Sequence, residues 1–169
     1  IYTSQYTLSL HDALPIYHNP IDGKWSLTER PGWLRLKAPV PVGKGGFWNA
    51  PNTLSQRIMG WRKGIATARL DFSGMEPHQM AGFCHHSGVY YLLGVRAASD
   101  GSRRLFLNLN GKVTEGPKLK ADIVWMRTEM EAGRAFFEYS LDGKKYRRFG
   151  PKFPLKFGRW RGDRIGFFC

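Results

Sequence analysis

Two-residue turns that contain glycine recur along this chain and separate short runs of alternating apolar and polar residues. Asp100-Gly101 and Asn110-Gly111 flank residues 103–109, and Ala132-Gly133 and Asp142-Gly143 follow further along. Such pairs suit tight hairpin loops, because these loops require positive φ at one or both central residues. Strands joined by tight hairpins run antiparallel. The spacing therefore predicts an all-β chain of antiparallel strands.

Alternation between apolar and polar positions marks the strands themselves. In residues 65–72, every second position from Ala66 to Phe72 is apolar, as in a half-buried strand. Similar runs predict about ten strands, which is typical of an antiparallel sandwich or barrel. The predicted strands cover residues 25–27, 33–36, 53–59, 65–72, 80–85, 89–96, 103–109, 123–130, 134–141, 144–149 and 165–169.

The stretch KWSLTERPGWLRL, residues 24–36, is the most distinctive sequence in the chain. Pro31-Gly32 suits a tight turn, because proline presets φ and glycine accepts positive φ. After the turn, Trp33 and Arg35 point to one side of a predicted strand. We expect the residues of this stretch to be structural, with Trp25 and Trp33 packed in the domain.

The size and charge of the chain limit its classes of function. Its 169 residues fit one domain, and its net charge of +13 would suit an acidic partner such as nucleic acid, lipid or polysaccharide. The cations are spread along the sequence, however, and no recognition helix or RNA-binding motif accompanies them. We therefore expect no nucleic acid as partner. No apolar run of about 18 residues is present, so we expect no membrane as partner either. The two cysteines, Cys84 and Cys169, are too few for a disulfide framework, and we expect buried thiols.

Residues 1–16 do not match the pattern of the remaining chain. Their segment TLSLHDALPI, residues 7–16, looks like one reading frame of a sequencing-adapter oligonucleotide translated by mistake. We therefore expect residues 1–16 to be a non-native leader and residues 17–169 to be the domain. The chain would then be a fragment of a longer protein, and its localisation is left unassigned. A nucleotide read through codons 1–16 that contains no adapter would refute this expectation.

Two clusters of ionisable residues are candidates for chemistry. His85-His86 could ligate a metal, but neighbours on a strand point to opposite faces, and no C-x-x-C pair accompanies them. Glu129 and Glu131 would share a strand face, as acid and nucleophile do in some β-sandwich glycosidases. Arg127 precedes them on that face, and Glu131 lies at a turn where its carboxylate is solvated. We therefore expect no catalytic residue and no metal, and the lack of a P-loop or nucleophile elbow predicts no cofactor or triad.

Aromatic side chains in loops are the candidates for binding sugars, which stack their flat C–H faces on exposed rings. Most rings in this chain should lie in the core. Phe47 and Trp48 belong to a predicted loop, residues 38–51, and Trp160 lies between two arginines. We therefore predict that Phe47, Trp48 and Trp160 are exposed, and that Phe47 and Trp48 are candidate sugar contacts.

A set of segments in a fixed order carries a family resemblance. They are YHNP (17–20), KWSLTERPGWLRL (24–36), NTLSQR (52–57), LDFSGM (70–75), AGF (81–83), FEYSLDGK (137–144) and GDRIGFFC (162–169). Together they resemble the C-terminal concanavalin A-like β-sandwich domain of glycoside hydrolase family 43, the β-xylosidase and α-L-arabinofuranosidase type. The resemblance covers essentially all of residues 17–169. It implies an antiparallel two-sheet β-sandwich, a concanavalin A-like jelly roll.

The resemblance also implies a function. In that family the catalytic residues belong to an N-terminal five-bladed propeller, which this chain lacks. An accessory domain of a glycosidase acting on xylo-oligosaccharides or arabinoxylan is therefore expected, with the propeller and the oligosaccharide as partners. Relatives often assemble, so a homo-oligomer is a further implied partner. In some relatives a loop before the last strands places an aromatic ring at the rim of the catalytic pocket, and the matching segment, residues 158–162, implies this position for Trp160 and Arg161.

Two other interpretations remain open from the sequence. A stand-alone carbohydrate-binding, lectin-like domain would bind glycans without a propeller. A sandwich glycosidase would use Glu129 and Glu131, and Glu131→Gln would abolish its activity. A reading frame that continues upstream into a propeller would favour the accessory domain over the stand-alone binding domain, and hydrolysis by the isolated domain would favour the sandwich glycosidase.

Overall fold

The structure is a computed structural model that describes residues 23–40, 46–50, 52–58, 63–156 and 162–169. Within these ranges the chain consists of β-strands and one short 3₁₀ helix, Gly46–Asn49. The strands are β1 (Trp25–Ser26), β2 (Arg35–Leu36), β3 (Leu54–Arg57), β4 (Lys63–Asp71), β5 (Met80–His86), β6 (Tyr90–Ala97), β7 (Arg103–Leu109), β8 (Lys112–Leu119), β9 (Ile123–Glu131), β10 (Arg134–Ser140), β11 (Arg147–Arg148), β12 (Phe153–Pro154) and β13 (Arg164–Phe168). Every pairing between them is antiparallel. The predicted all-β fold class is confirmed.

Two sheets form the sandwich. Among the described residues, the six-stranded sheet has the order β3-β13-β5-β6-β7-β8, and the five-stranded sheet has the order β11-β10-β9-β4 with β12 also paired to β10. The core lies between them, where Phe83 of β5 meets Phe137 of β10 edge to face with ring centroids 6.4 Å apart. Burying such rings removes apolar surface from water and provides the main driving force for stacking the sheets.

Strand β9 shows why the sequence forms two layers. Val124, Met126 and Thr128 alternate along it and are at most 1% exposed, because they face the six-stranded sheet. Trp125 and Arg127 point the opposite way and are half-buried on the outer face of the five-stranded sheet. This two-residue period is the alternation that predicted the strand.

The hairpin turns have the geometry that their residues predicted. Asn110 and Gly111 have φ of 51° and 97°, and Ala132 and Gly133 have φ of 49° and 74°. Two successive positive φ values belong to the tight turn whose twist matches that of the flanking strands. The prediction of hairpins at these two positions is confirmed.

The stretch of residues 24–36 forms a small hairpin of β1 and β2 beside the sandwich. The Trp33 amide donates to the Arg30 carbonyl over 3.0 Å across the predicted turn. The Arg30 guanidinium donates to Asp71 at the end of β4, which attaches the hairpin to the five-stranded sheet. Trp33 is half-buried, as expected, but Trp25 is 41% exposed, so the packing role expected for Trp25 is wrong.

Two strands, β8 and β12, were not predicted from the sequence. Most residues of β8 are exposed, and Pro117 within it fits only an edge strand because proline cannot donate to the ladder. Such a strand carries no apolar alternation, since neither of its faces is buried. The second, β12, is only two residues long, although its Phe153 is buried. The predicted strand of residues 144–149 is also shorter than expected, being reduced to β11.

The two cysteines are free thiols. Burial raises the pKa of both, to about 11 for Cys169, and the pKa of the fully buried Cys84 is raised further. Thiols with raised pKa values are poor nucleophiles and poor metal ligands. No helix among the described residues is long and apolar enough to cross a membrane.

Candidate functional site

His85 and His86 end strand β5 and occupy opposite faces of the six-stranded sheet. Both are buried, with exposed fractions of 0% and 1%. His85 contacts core rings of the other sheet, whereas His86 contacts the rings of Phe47 and Trp48 outside the sandwich. Because the two imidazole rings point to opposite faces of the sheet, they cannot bind the same metal ion. The described residues contain no group of three or more His, Cys, Asp or Glu side chains that could hold a metal ion.

His85 crosses the core to join the two sheets. Its Nδ1 lies 2.7 Å from Oδ2 of Asp163, and its Nε2 lies 2.9 Å from Oγ1 of Thr128 on β9. The rings of Phe137 and Phe153 surround it, with centroids 5.6 Å and 5.4 Å from the imidazole. A buried polar group needs such partners, because leaving it unpaired in an apolar core would be costly. The triplet therefore ties β5, β9 and the residue before β13 together.

The Asp163 carboxyl of this triplet is buried away from water. Burial raises the pKa of Asp163, while the hydrogen bond and the charge interaction with His85 lower it in part. A carboxylate can only accept, so Nδ1 of His85 carries a hydrogen when Asp163 is ionised. Oδ1 of Asp163 has no hydrogen-bond partner in the part of the chain that the structure describes. The arrangement is suited to holding Asp163 in position. Although the Thr128 hydroxyl contacts Nε2 of His85 as the nucleophile of a triad would, both side chains are 0% exposed, so no substrate can reach them.

Phe47 and Trp48 lie on the outer face of the six-stranded sheet, at the end where His86 lies. Register places Arg164 of β13 between Arg57 of β3 and His86 of β5, and Tyr90 opposite His86 on the other side.

Phe47 and Trp48 pack over this row. Phe47 lies 5.6 Å from the His86 ring and 5.1 Å from the Tyr90 ring, and Trp48 lies 5.5 Å from Tyr90. Both residues are therefore half-buried in a ring cluster, and the prediction that they are exposed is wrong. They are successive residues of the 3₁₀ helix Gly46–Asn49, and it is their ring contacts with His86 and Tyr90 that hold them against the sheet. Contact between their remaining exposed edges and a sugar stays a prediction.

Trp160 and Arg161 lie outside the described residues. The flank that follows them is described and is rigidly held. Gly162 is buried with φ of 72°, Asp163 is bound by His85, and the Asp163 carbonyl accepts from the Ile58 amide over 3.3 Å. The segment of residues 158–162 therefore ends at the same sheet end that carries Phe47 and Trp48.

Of the two candidate carboxylates of β9, Glu129 belongs to an ion-pair network. Nε of Arg127 donates to Glu138 over 2.6 Å, and its guanidinium also lies 3.5 Å from Glu129. Glu131 is exposed at the end of the strand. One candidate carboxylate is thus held by an arginine and the other is open to solvent, so the two do not share one site.

The triplet of His85, Thr128 and Asp163 was missed by the sequence analysis. One clue was present: Thr128 is a polar residue at an inward position of β9, in line with Val124 and Met126. A polar side chain at such a position requires a buried partner. Sequence could not identify that partner, because His85 and Asp163 are 43 and 35 positions away along the chain.

The family of β-xylosidase C-terminal concanavalin A-like domains matches residues 9–169. The chain belongs to this family. The resemblance to the accessory sandwich of glycoside hydrolase family 43 is thereby confirmed, as is the concanavalin A-like form of the fold. The match begins upstream of Tyr17, the first residue of the domain predicted from sequence, and that boundary stays a prediction.

Relatives of this family 43 domain are much longer proteins. A β-xylosidase from Formosa agariphila is 47% identical over an alignment of 170 positions that covers 89% of this chain and 29% of that protein. A xylan 1,3-β-xylosidase from a Vibrio species is 32% identical over an alignment of 156 positions that covers 86% of this chain and 28% of that protein. A solved structure of a bifunctional glycoside hydrolase family 43–CE protein from Bacteroides eggerthii superposes with a TM-score of 0.77 and 27% identity, over 92% of this chain and 21% of that one. The chain thus spans less than a third of the curated relatives it matches.

Proposed function

We propose that this chain is the accessory domain of an enzyme that hydrolyses glycosidic bonds in xylo-oligosaccharides or arabinoxylan. The observation that carries the proposal is the family match over residues 9–169, together with the small share of the longer relatives that this chain covers. Those relatives are named β-xylosidase and xylan 1,3-β-xylosidase, and this chain corresponds to 29% and 28% of their length. The remaining length is ample for a separate catalytic domain.

The catalytic residues would lie in a propeller domain of the same protein, outside this chain. The described residues support this division of labour, because Glu129 is ion-paired with Arg127 and Glu131 is exposed at the end of its strand, so the two are not poised together as an acid and a nucleophile. The sandwich would then contribute to substrate binding by forming one side of the substrate pocket.

The proposed contribution is the segment of residues 158–162, with Trp160 and Arg161 at the pocket rim. Its support is the anchoring of the residues that follow. A side chain can narrow a pocket only if the elements that carry it are fixed, and Asp163 is fixed by His85 in the core. A large ring at a rim excludes water and favours short chain ends over internal positions of a polysaccharide. Phe47 and Trp48 lie at the same sheet end and would offer a secondary sugar contact.

The test is expression of the parent gene with and without the region that this chain represents. We expect the full protein to release xylose or arabinose from oligosaccharides, and the chain of residues 1–169 alone to release neither. A parent reading frame without an upstream catalytic domain would overturn the proposal. Hydrolysis by the isolated chain that is lost in Glu131→Gln would also overturn it, in favour of a sandwich glycosidase.

A further inference from the structure

The outer face of the five-stranded sheet carries arginines stacked on aromatic rings. We call it the stacked-arginine face, and it consists of Arg69, Arg127 and Arg148 with the rings of Trp33, Trp125, Phe136 and Tyr146. These residues come from the outward positions of β4, β9, β10 and β11, from the turn before β11 and from the β1–β2 hairpin. They lie on the side of the sheet that points away from the core, and the candidate site lies on the other sheet.

Arg69 is the first cation of this face. Its guanidinium lies between two indoles, 4.8 Å from the Trp33 ring centre and 5.4 Å from the Trp125 ring centre. Arg69 is exposed, and among the described residues no carboxylate lies within ion-pair distance of it. Stacking fixes the plane of a guanidinium while its N–H edges stay open to solvent. Arg69 is therefore a preorganised donor for an oxyanion.

Arg148 and Lys152 form a second cationic position across the sheet. The Arg148 guanidinium lies 4.7 Å from the Phe136 ring centre, and the Lys152 ammonium lies 5.8 Å from the same ring. Both residues are exposed, and among the described residues neither is within ion-pair distance of a carboxylate, although Glu138 is the cross-strand neighbour of Arg148. Nε of Arg148 donates to the Gly150 carbonyl over 3.1 Å, which leaves its terminal N–H groups for an oxyanion. Three strand spacings separate β4 from β11, which places the two cationic positions roughly 15 Å apart.

The middle of the face carries more negative than positive charge. Arg127 stacks on Tyr146 at 3.8 Å and is ion-paired with two carboxylates, Glu129 and Glu138, so one negative charge is left in excess. Ile65, opposite Glu129 in the register, adds an apolar side chain that is 54% exposed. The face thus presents two separated cations with a weakly acidic, partly apolar centre between them.

We propose that the stacked-arginine face binds a polysaccharide that carries widely spaced anionic groups. Oxyanions of such a chain would accept hydrogen bonds from Arg69 at one end and from Arg148 at the other, and its uncharged stretch would lie over the weakly acidic centre between them. Charge-assisted bonds to planar guanidinium groups favour carboxylate or sulfate oxygens. The proposal does not depend on the role of Trp160, since it concerns binding on the opposite sheet.

The same geometry argues against nucleic acid as the occupant. Bases need open ring faces to stack on, and here guanidinium groups already cover the rings of Trp33, Phe136 and Tyr146. A densely charged phosphate backbone would also lie against Glu129 and Glu138. A polymer with few charges avoids this repulsion.

The experiment measures the affinity of the chain of residues 1–169 for three xylans by calorimetry at low ionic strength. One xylan carries uronic acid groups, one is sulfated and one is neutral, and single-stranded DNA serves as a further polyanion. We expect binding to at least one anionic xylan, weaker binding to neutral xylan and DNA, and a loss of affinity with added salt. The xylan that binds identifies carboxylate or sulfate as the recognised group.

Two pairs of substitutions locate the site. Arg69→Gln with Arg148→Gln should weaken binding about tenfold or more, because both charge-assisted contacts are lost. Lys112→Gln with Lys118→Gln removes the same charge from exposed positions of β8 on the other sheet and should leave affinity unchanged. Arg69→Lys retains the charge without the planar fork, and should weaken binding while leaving the thermal melt unchanged.

Several results would overturn the proposal. They are equal affinity for neutral and anionic xylan, tighter binding of DNA than of xylan, no binding to any xylan at low salt, and an equal loss of affinity in the β8 control pair. Absence of binding in the parent protein would mean that the face is covered there, and would overturn it as well.

Discussion

The Nδ1 atom of His85 lies 2.7 Å from Oδ2 of Asp163, at a point where both side chains are almost completely removed from solvent. The contact joins strand β5 to the residue that precedes β13, and Thr128 extends it to the opposite sheet. Few polar contacts in the described core span the whole sandwich in this way. The stability of the domain and the placement of its last strand therefore depend on the same imidazole.

Replacing His85 tests that dependence. His85→Leu keeps much of the volume but leaves the Asp163 carboxyl buried without its partner, and we expect the free energy of unfolding to fall by about 3–5 kcal/mol. Urea denaturation followed by tryptophan fluorescence measures it. Adding Asp163→Asn to the variant should recover part of the lost stability, because burying a neutral amide costs less free energy than burying a carboxylate. A loss below about 1 kcal/mol in the single variant would contradict a structural role for the contact.

Asp71 predicts a specific dependence of stability on pH. Burial raises the pKa of Asp71, but hydrogen bonds from Arg30 and from the Ser73 amide outweigh burial and lower the pKa to about 2. The pKa in the folded chain is thus below the unfolded value of 3.8, so the contribution is complete above that value and is lost as pH falls towards 2.

We therefore expect Asp71→Asn to lower the free energy of unfolding by about 1 kcal/mol at neutral pH, since Arg30 is partly exposed. The difference from wild type should shrink between pH 4 and pH 2. Denaturation across this range measures it. A difference that stays constant down to pH 2 would show that the Arg30 contact does not depend on the ionised carboxyl.

Gly166 of β13 has no room for a side chain. A Cβ atom there would lie 2.3 Å from the Leu54 carbonyl oxygen and 2.7 Å from Cβ of Ser55 on the neighbouring strand β3. We expect Gly166→Ala to destabilise the domain by about 1–3 kcal/mol, because β3 must move to accept the methyl group. Gly88→Ala is the matched control, since nothing lies within 4 Å of its Cβ position. Equal melting temperatures of the two variants would show that β3 moves without cost.

Trp160 carries the prediction for catalysis in the parent enzyme. Trp160→Ala should raise KM for xylo-oligosaccharides roughly three- to tenfold with little change in kcat, because a ring at the rim contributes to binding. Steady-state kinetics measures both constants. Trp25→Ala is the control, since Trp25 is 41% exposed on the β1–β2 hairpin, away from the sheet end that carries Asp163. Unchanged kinetics in Trp160→Ala, or the same change in Trp25→Ala, would remove Trp160 from the pocket.

The cation–aromatic contacts explain why residues 24–36 are distinctive. Trp33 lies between Arg30 and Arg69, with distances of 4.1 Å and 4.8 Å from its ring centre. The sequence predicts that Trp33 packs in the domain but does not indicate that guanidinium groups are its neighbours. Arg69 belongs to a strand that lies more than thirty positions away, so local alternation shows that it points outward and cannot show what covers it.

The sequence by itself determined the all-β class, the antiparallel connections and most strand positions. These follow from local properties: side chains alternate with a period of two along a strand, and glycine accepts the positive φ of tight turns. Strand β8 was missed for the same reason, because an exposed edge strand carries no apolar alternation. Segment order also sufficed to recognise the family.

The tertiary structure decided which side chains meet. His85 and Asp163 are 78 positions apart, and His85 and Thr128 are 43 positions apart on different sheets. Whether an inward polar residue faces a partner depends on how two sheets stack, and that is set by the packing of the whole core rather than by any local pattern. The same holds for the outer faces, where Arg69 became an open cation and Arg127 a neutralised one, although both are outward arginines on neighbouring strands.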